Sequence, residues 1–293
     1  MPAETISVAA KKQFAGMLFV ESNQNESYLQ PYAAFINMEA EETLFESLGS
    51  VDPIKLEGTN ETVQPQTIEW TRRKFRADTY ASVLYVDKKN TEDNLLDPTK
   101  QYAAQIARGM KREKDRILLA AATASVLTGK EGKTEISAAT DGVVNLAMTS
   151  GITTDLILQL RNKFKSKEVE GPYVWAVTEQ ETKQMLLIST ITSSDYTKNM
   201  PLDNGEISHV HGMKLVEFGS AIPRPMLNVA TSTRTNIAFA KDGIALGMKK
   251  EAEDLLIEHR PDLHLTHQVI MYSRMGAVRT VGNRVVTTTS TAT

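Results

Sequence analysis

The chain contains no cysteine. That removes disulfide staples, thiolate nucleophiles and cysteine-ligated zinc or iron–sulfur centres together. It also lacks any run near the ~18 consecutive apolar residues that a membrane span requires. Its start, MPAETISVAAKKQFAG, has no basic cluster followed by an apolar core, so no secretory signal is expected and the protein reads as soluble and made in the cytoplasm. Neither charge is in excess: 33 basic side chains stand against 36 acidic ones, for a formal net charge of −3. A dedicated nucleic-acid binder carries a basic surplus. DNA near this protein is therefore expected to be touched locally or merely enclosed. A near-neutral wall suits enclosure, because a basic inner surface would hold DNA by phosphate pairing. There is no G-x-S-x-G elbow, no H-E-x-x-H pair and no repeat of fixed period.

What is present is ordinary folded-protein material: 293 residues, 41% hydrophobic and 24% charged, enough for a sizeable core. The first fifty or so residues are amphipathic. Ile6, Ala10, Phe14 and Met17 recur at helical spacing, 21–27 reads as a polar loop, and Phe35, Ile36, Leu44, Phe45 and Leu48 mark a second stretch expected to be buried. Such a start serves either as a core element or as an arm lying on a neighbouring subunit. Between 51 and 87 helical periodicity fades, Pro53 and Pro65 punctuate the chain, and β-favouring residues come in two bursts, 67–75 and 79–86. These read as an extended hairpin. Ile68 and Trp70 alternate with Glu69 and Thr71, and Arg72, Arg73, Lys74, Phe75 and Arg76 make the first burst strongly basic. An isolated two-stranded hairpin is marginal in water, so a cover from elsewhere is expected. In a self-assembling protein that cover is an adjacent copy.

A long helix follows. Asp97 suits its N-cap, Pro98 its first position, and Tyr102, Ile106, Met110, Ile117, Ala121 and Ala124 keep one apolar face to about residue 127, with Gly129 closing it. At ~1.5 Å per residue, ~30 residues span roughly 45 Å, longer than a compact domain needs. The mixed charges of 108–116 read as an exposed face supported by i,i+4 pairs. Beyond a turn-rich region, 128–151, the pattern becomes α/β. A helix is expected over 155–165 with Ile157, Leu160 and Phe164 inward, then a strand over 173–177. Thr178 and Glu181 form a capping box that opens a helix holding Met185 and Leu186. A polar loop over 193–206, a strand over 213–218 and a Pro-rich turn over 221–225 come next. Strands over 236–240 and 244–248 flank Lys241-Asp242-Gly243, read as a hairpin turn. The last long strand carries Leu263, Leu265, Val269 and Met271 on one face, pairing extends through 277–286, and 287–293 reads as a frayed tail.

Few residues suggest chemistry. His209 and His211 lie two apart, but a zinc site needs further ligands that are not apparent, and two loop histidines are the plainer reading. His264 and His267, three apart on a strand, fall on opposite faces. The stretch 129–134, GKEGKT, has only two residues between its glycines and leaves a helix instead of opening one, so it is a surface turn and not a phosphate loop. Glu41/Glu42 and Glu251/Glu253/Asp254 read as solvated faces. The basic stretch 72–76, with Trp70 and Phe75 interleaved, suits either nucleic acid or an acidic patch of a neighbouring subunit, for example around Glu92, Asp93 and Asp97; the balanced net charge favours the second. No catalytic, cofactor-binding or metal-binding residue is assigned and no cofactor is expected.

The order of these elements resembles that of tailed-bacteriophage major capsid proteins. Arg72-Arg73, Tyr80 and Asp97-Pro98 followed by Tyr102 are similar to the family's approach to its spine helix. The helix runs through Arg112 and Lys114-Asp115 into Ile117-Leu118-Leu119-Ala120-Ala121-Ala122-Thr123, and Thr128-Gly129 follows. Thr192-Ser193-Ser194-Asp195-Tyr196, Leu202, Gly205-Glu206-Ile207 and Gly212-Met213-Lys214-Leu215 resemble its central domain. The stretch 240–247 and Arg260-Pro261-Asp262 before the last strand resemble its closing segment. The likeness covers about 35–286, and it rests on shared order, no single motif being diagnostic.

The resemblance implies an α+β, Hong Kong 97-type capsid fold: 1–49 as N-terminal arm and start of the peripheral domain, 50–94 as extended loop, 95–150 as spine helix and peripheral domain, 151–257 as axial domain, and 258–293 as returning strand and tail. It implies a non-enzymatic head protein of the virion, assembled in the host cytoplasm as hexamers and pentamers of an icosahedral shell enclosing double-stranded DNA. Scaffolding, portal and decoration proteins are the other candidate partners, and no membrane is involved. The inter-subunit residues it points to are Trp70, Arg72, Arg73, Lys74, Phe75, Arg76, Tyr80, Tyr85, Arg112 and Asp115. Some relatives crosslink a loop lysine to a neighbour's asparagine; Lys74, Lys88 and Asn283 are present, but the set cannot be placed, so no crosslink is expected. An encapsulin-type compartment of the same fold, enclosing enzyme cargo, is one alternative. A cytosolic α/β enzyme with a helical arm is another.

Overall fold

The computed structural model describes residues 26–49, 51–55, 65–68, 70–86, 99–147, 151–188, 207–220, 224–229, 233–249, 254–260, 262 and 266–291. The helical start at 6–17, the Asp97-Pro98 opening, the acidic residues Glu92 and Asp93, and the 193–206 loop lie outside them. Strands β8 (Tyr173–Thr178) and β13 (Ile244–Met248) are buried along their whole length. A strand apolar on both faces must sit inside a sheet with cover on each side, and these two mark the centres of two sheets. The larger has seven strands in the order β7 (Val144–Ala147), β16 (Val285–Thr291), β12 (Thr233–Ala240), β8, β10 (Met213–Phe218), β9 (His209–Val210), with β11 (Asn228–Val229) added on β12. The second runs β1 (Ala34–Asn37), β13, β15 (Thr266–Arg279), β14 (Asp254–Arg260), with β4 (Asp78–Val86) also on β15. A third sheet holds β2 (Glu42–Leu48), β3 (Trp70–Arg76), β5 (Val126–Thr128) and β6 (Thr134–Ile136).

Side-chain alternation along β8 builds the layers. Val174 and Ala176 pack with Leu118, Leu119 and Ala122 of helix α1 (Thr99–Thr123). Tyr173, Trp175 and Val177 pack on the other face with Ile157, Leu160 and Phe164 of α2 (Thr154–Ser166) and Met185 of α3 (Glu179–Leu186). Both shorter helices begin as the sequence predicts. Thr153 accepts a hydrogen bond from the Leu156 amide, and the Thr178–Glu181 capping box is formed. The α1 core continues into the second sheet through Ile244, Leu246, Met248 and Met275.

Several expectations are corrected. The bursts at 67–75 and 79–86 do not pair with each other: β3 pairs with β2, Glu42↔Arg76 through Leu48↔Trp70, while β4 pairs with β15. The hairpin therefore starts near 42, upstream of the expected boundary at 50. Turn 241–243 joins two different sheets and closes no hairpin, because β12 and β13 are each buried and each needs neighbours on both sides. Helix α1 ends at Thr123, short of 127, and β-branched Val126 and Thr128 join β5. The 108–116 face is not wholly exposed, since Lys114 and Asp115 are buried. Most of the supposed frayed tail, 287–291, belongs to β16, with Thr288 and Ser290 buried between β12 and β7.

One local feature aims the hairpin. Gly247 and Gly276 face each other in the β13–β15 register. A Cβ on Gly247 would stand 2.1 Å from the Phe75 ring, and one on Gly276 would stand 2.1 Å from the carbonyl oxygen of Arg76. Two bare backbone positions thus let the root of β3 lie directly on the second sheet. Gly276→Ala, which meets backbone that cannot rotate away, is expected to cost about 1–3 kcal/mol by overpacking. A urea midpoint equal to that of the parent chain would show the root is not seated there.

Candidate functional site

The β2–β3 hairpin has two unlike faces. The inward face carries Phe75, 1% exposed, with Met38, Ala77, Val126 and Val278 around it, and Arg73. Arg73 is the basic residue that reaches inside, and it has an anchor there. Its Nη1 and Nη2 donate to the two carboxylate oxygens of Asp141 at 2.8 and 2.6 Å. Arg279, fully buried on β15, donates from Nε to the same carboxylate at 2.6 Å. Its Nη1 also reaches the carbonyl oxygens of Ala122 at 2.8 Å and Ala124 at 3.0 Å, at the C-terminus of α1. A cation at this end satisfies orphan carbonyls and complements the helix dipole. Hairpin and β15 therefore meet at one carboxylate, and Arg279 links that junction to the end of the long helix.

Burial alone would raise the pKa of Asp141, but hydrogen bonds and charge from Arg73 and Arg279 outweigh it and hold the carboxyl below its ordinary value. Tyr80 shows the opposite balance. Its phenol is pushed up, first by burial and then by Asp78 and Glu113.

The outward face alternates charge and apolar surface. Arg72 pairs with Glu46 at 2.6 Å and Lys74 with Glu42 at 2.6 Å, both across the hairpin, and Arg76 lies near Glu41 and Asp78. Leu44, Leu48 and Trp70 stand between them, Trp70 with 63% of its surface exposed. Ile54, Val51 and Ile68 continue the exposed apolar series beyond the strand ends. The basic stretch 72–76 was expected to pair with an acidic patch of a neighbouring subunit; within this chain Arg72, Arg73 and Lys74 already pair with Glu46, Asp141 and Glu42. Phe35, Leu44 and Leu48, expected to be buried, are exposed.

The other candidate positions divide. Tyr85 is exposed on β4, whereas Tyr80 packs against the main core. Arg112 is half-buried on α1. Asp115 is fully buried and accepts hydrogen bonds from Ser27 Oγ at 2.5 Å, the Tyr28 amide at 3.0 Å and the Leu29 amide at 3.1 Å, tying the segment that precedes β1 to α1. Asp141 and Arg279 were missed; the sequence cue was a charged residue inside an apolar terminal strand and an Asp-Gly turn with no evident partner. His209 is an exposed strand residue, and His211 sits in the adjoining turn with φ +46°, so the two are not same-face neighbours. Among the described residues no group of three or more His, Asp or Glu is arranged to hold a metal ion.

Removing the shared carboxylate leaves two guanidiniums uncompensated in the interior. Asp141→Ala is expected to cost about 3–5 kcal/mol, read as a fall in the urea midpoint. Because the folded pKa of Asp141 is depressed, its stabilisation is complete above about pH 4 and is lost as pH falls through the folded value. The parent chain should therefore weaken on acidification in that window more than the variant does. Equal acid profiles would rule out Asp141 as the source.

A family profile described as phage capsid protein matches residues 6–291. No curated protein matches the sequence. Among solved structures, the chain is similar to the capsid of Helicobacter pylori bacteriophage KHP30, with 10% identity, 94% of each chain covered and a TM-score of 0.68. It is also similar to the capsid of cyanophage P-SCSP1u, with 12% identity, 94% of this chain and 92% of that one covered, and a TM-score of 0.67. The capsid of Ralstonia phage GP4 follows at 9% identity, 94% and 93% coverage, and a TM-score of 0.65. At such identities the likeness concerns the fold.

Proposed function

The chain belongs to the phage capsid protein family, and we propose that its copies close, as hexamers and pentamers, into an icosahedral shell around packaged double-stranded DNA. It is a shell protein of the virion, and its task is mechanical, with no catalytic step. Assembly takes place in the host cytoplasm, with a portal and with scaffolding or decoration proteins as further partners. DNA is enclosed and not gripped, in keeping with the net charge of −3. No described helix is long and apolar enough to cross a membrane.

The observation that carries this reading is the outward face of the hairpin. Leu44, Leu48 and Trp70 stay exposed although the same two strands bury Phe75 and Arg73 on their other side. Covering a large apolar side chain contributes about 1.5–3 kcal/mol, and part of that is spent on ordering and on lost translational freedom. Each contact is thus weak, near or below the −8 kcal/mol of micromolar binding. A subunit that engages several neighbours needs no more, and weak contacts let misplaced copies leave before the shell closes.

Leu48 and Trp70 are register partners, so residues 49–69 can be replaced by a two-residue Asn-Gly turn without disturbing the strand pairing. The shortened chain is expected to fold, with a far-ultraviolet spectrum and unfolding midpoint close to those of the parent. It should form no closed particles by electron microscopy under conditions where the parent does. Normal shells from the shortened chain would sink the role assigned to the hairpin.

A further inference from the structure

Three of the chain's five histidines fall between positions 259 and 267, and along the sequence His267 stands nearest His264. The fold gives it a different partner. β14 and β15 pair antiparallel in unbroken register from Asp254↔Tyr272 to Arg260↔Thr266, and His259 stands directly opposite His267. His264 lies outside the described residues. Directly opposed residues of an antiparallel pair share one face of the sheet, with Cβ atoms ~4.5–5.5 Å apart. Metal–imidazole bonds of ~2.0–2.1 Å set two donor nitrogens about 3–4 Å apart, a spacing that two histidines rooted so closely can supply.

A slip of one residue would send the two histidines to opposite faces, so the pair exists only in this register. The register is held from the other face. Arg260 donates from Nε and Nη2 to the two carboxylate oxygens of Asp262 at 2.8 and 2.6 Å, and from Nη1 to Gln268 Oε1 at 2.8 Å. Arg260 and Gln268 are each one position from a histidine of the pair, and alternation puts them on the opposite face. On the histidine face the next row is Ile257, Val269 and Leu84, with Val269 buried against Ile106 of α1. His267 is also opposite Val86 of β4, so its strand is flanked on both sides. β14, among the described residues, pairs with β15 alone. An ion shared by the two histidines would therefore tie an edge strand to the middle of its sheet.

We propose that His259 and His267 form a binding site for one late first-row divalent cation, which staples β14 to β15. The donor type selects the ion. Imidazole nitrogen favours copper(II), nickel(II) and zinc, whereas magnesium and calcium are held by oxygen, and the neighbouring positions on this face, Val86, Leu84, Ile257 and Val269, supply none from their side chains. With two nitrogens and water in the remaining positions, copper(II) is the tightest of the three. His209 and His211 form no comparable pair, since His209 is opposite Lys214 on β10 and His211 sits in the adjoining turn. The site belongs to a single chain and is independent of how copies assemble.

The absence of cysteine removes thiolate competition from the test. Full-length chain is titrated with copper(II) chloride alone and followed by electron paramagnetic resonance and by calorimetry. The parent is expected to show an ion with hyperfine structure from two nitrogens. His259→Gln and His267→Gln should each leave one nitrogen and weaken binding by about tenfold or more. The double substitution His209→Gln, His211→Gln should leave the two-nitrogen signal in place, and a large excess of magnesium should not displace the ion. Copper(II) should also raise the urea midpoint of the parent and of neither single variant, because an ion that binds only the folded pair stabilises it by mass action. Midpoints measured without metal check that each variant folds. A two-nitrogen signal that survives His259→Gln or His267→Gln overturns the proposal, as does one lost when only His209 and His211 are replaced. Parent chain that binds no copper(II) overturns it outright.

Discussion

Two guanidiniums on one buried carboxylate hold this subunit in shape. Asp141 binds Arg73 from the hairpin and Arg279 from the long β15 strand, while Arg279 also closes the C-terminus of α1. The three elements are far apart in sequence, and the junction joins them at one point in addition to their own packing. Buried ion pairs are seldom a strong net source of stability, because desolvation takes back most of the Coulomb gain. Their value lies in geometry. A bidentate fork tolerates little rotation, so the angle between hairpin and body is set at its root.

Around that junction the chain divides its surface by purpose. One side of the hairpin is spent on the body, with Phe75 lying over the Gly247–Gly276 pair. The other is left to water, its cations matched by Glu42 and Glu46 so that the face is near neutral and its apolar residues stand between closed ion pairs. Exposed pairs of this kind contribute little to stability, roughly 0–1 kcal/mol each.

Much of this was legible in the residues, and unevenly so. Local signals were read well: the Thr178–Glu181 capping box, the inward Ile157, Leu160 and Phe164, and the strand at 213–218 all follow from short-range chemistry. Pairing partners were not. The two β-rich bursts are adjacent in sequence, yet β3 belongs with β2 and β4 with β15, because pairing depends on what each face buries and not on proximity along the chain. The threonine-rich tail was misjudged for a similar reason. Polar β-branched residues look like a frayed end until a neighbouring strand and helix supply hydrogen-bond partners. At the candidate site, the basic run and Trp70 were visible from composition. Asp141 and Arg279 were not, since 138 positions separate them and only the fold brings them within 2.6 Å.

The position of β16 has a consequence for timing. Residues 285–291 form an interior strand, between β12 and β7, and Ser290 donates to the buried Glu181 of α3. Until that stretch has been made, β7 lacks the strand it pairs with, and Asn145 lacks the hydroxyls of Thr287 and Thr289 that donate to it. The hairpin, by contrast, lies in the first third of the chain and emerges early. The hairpin strands are thus made well before the strand that completes the body's larger sheet. The larger sheet is complete only once its last strand, residues 285–291, lies between β12 and β7.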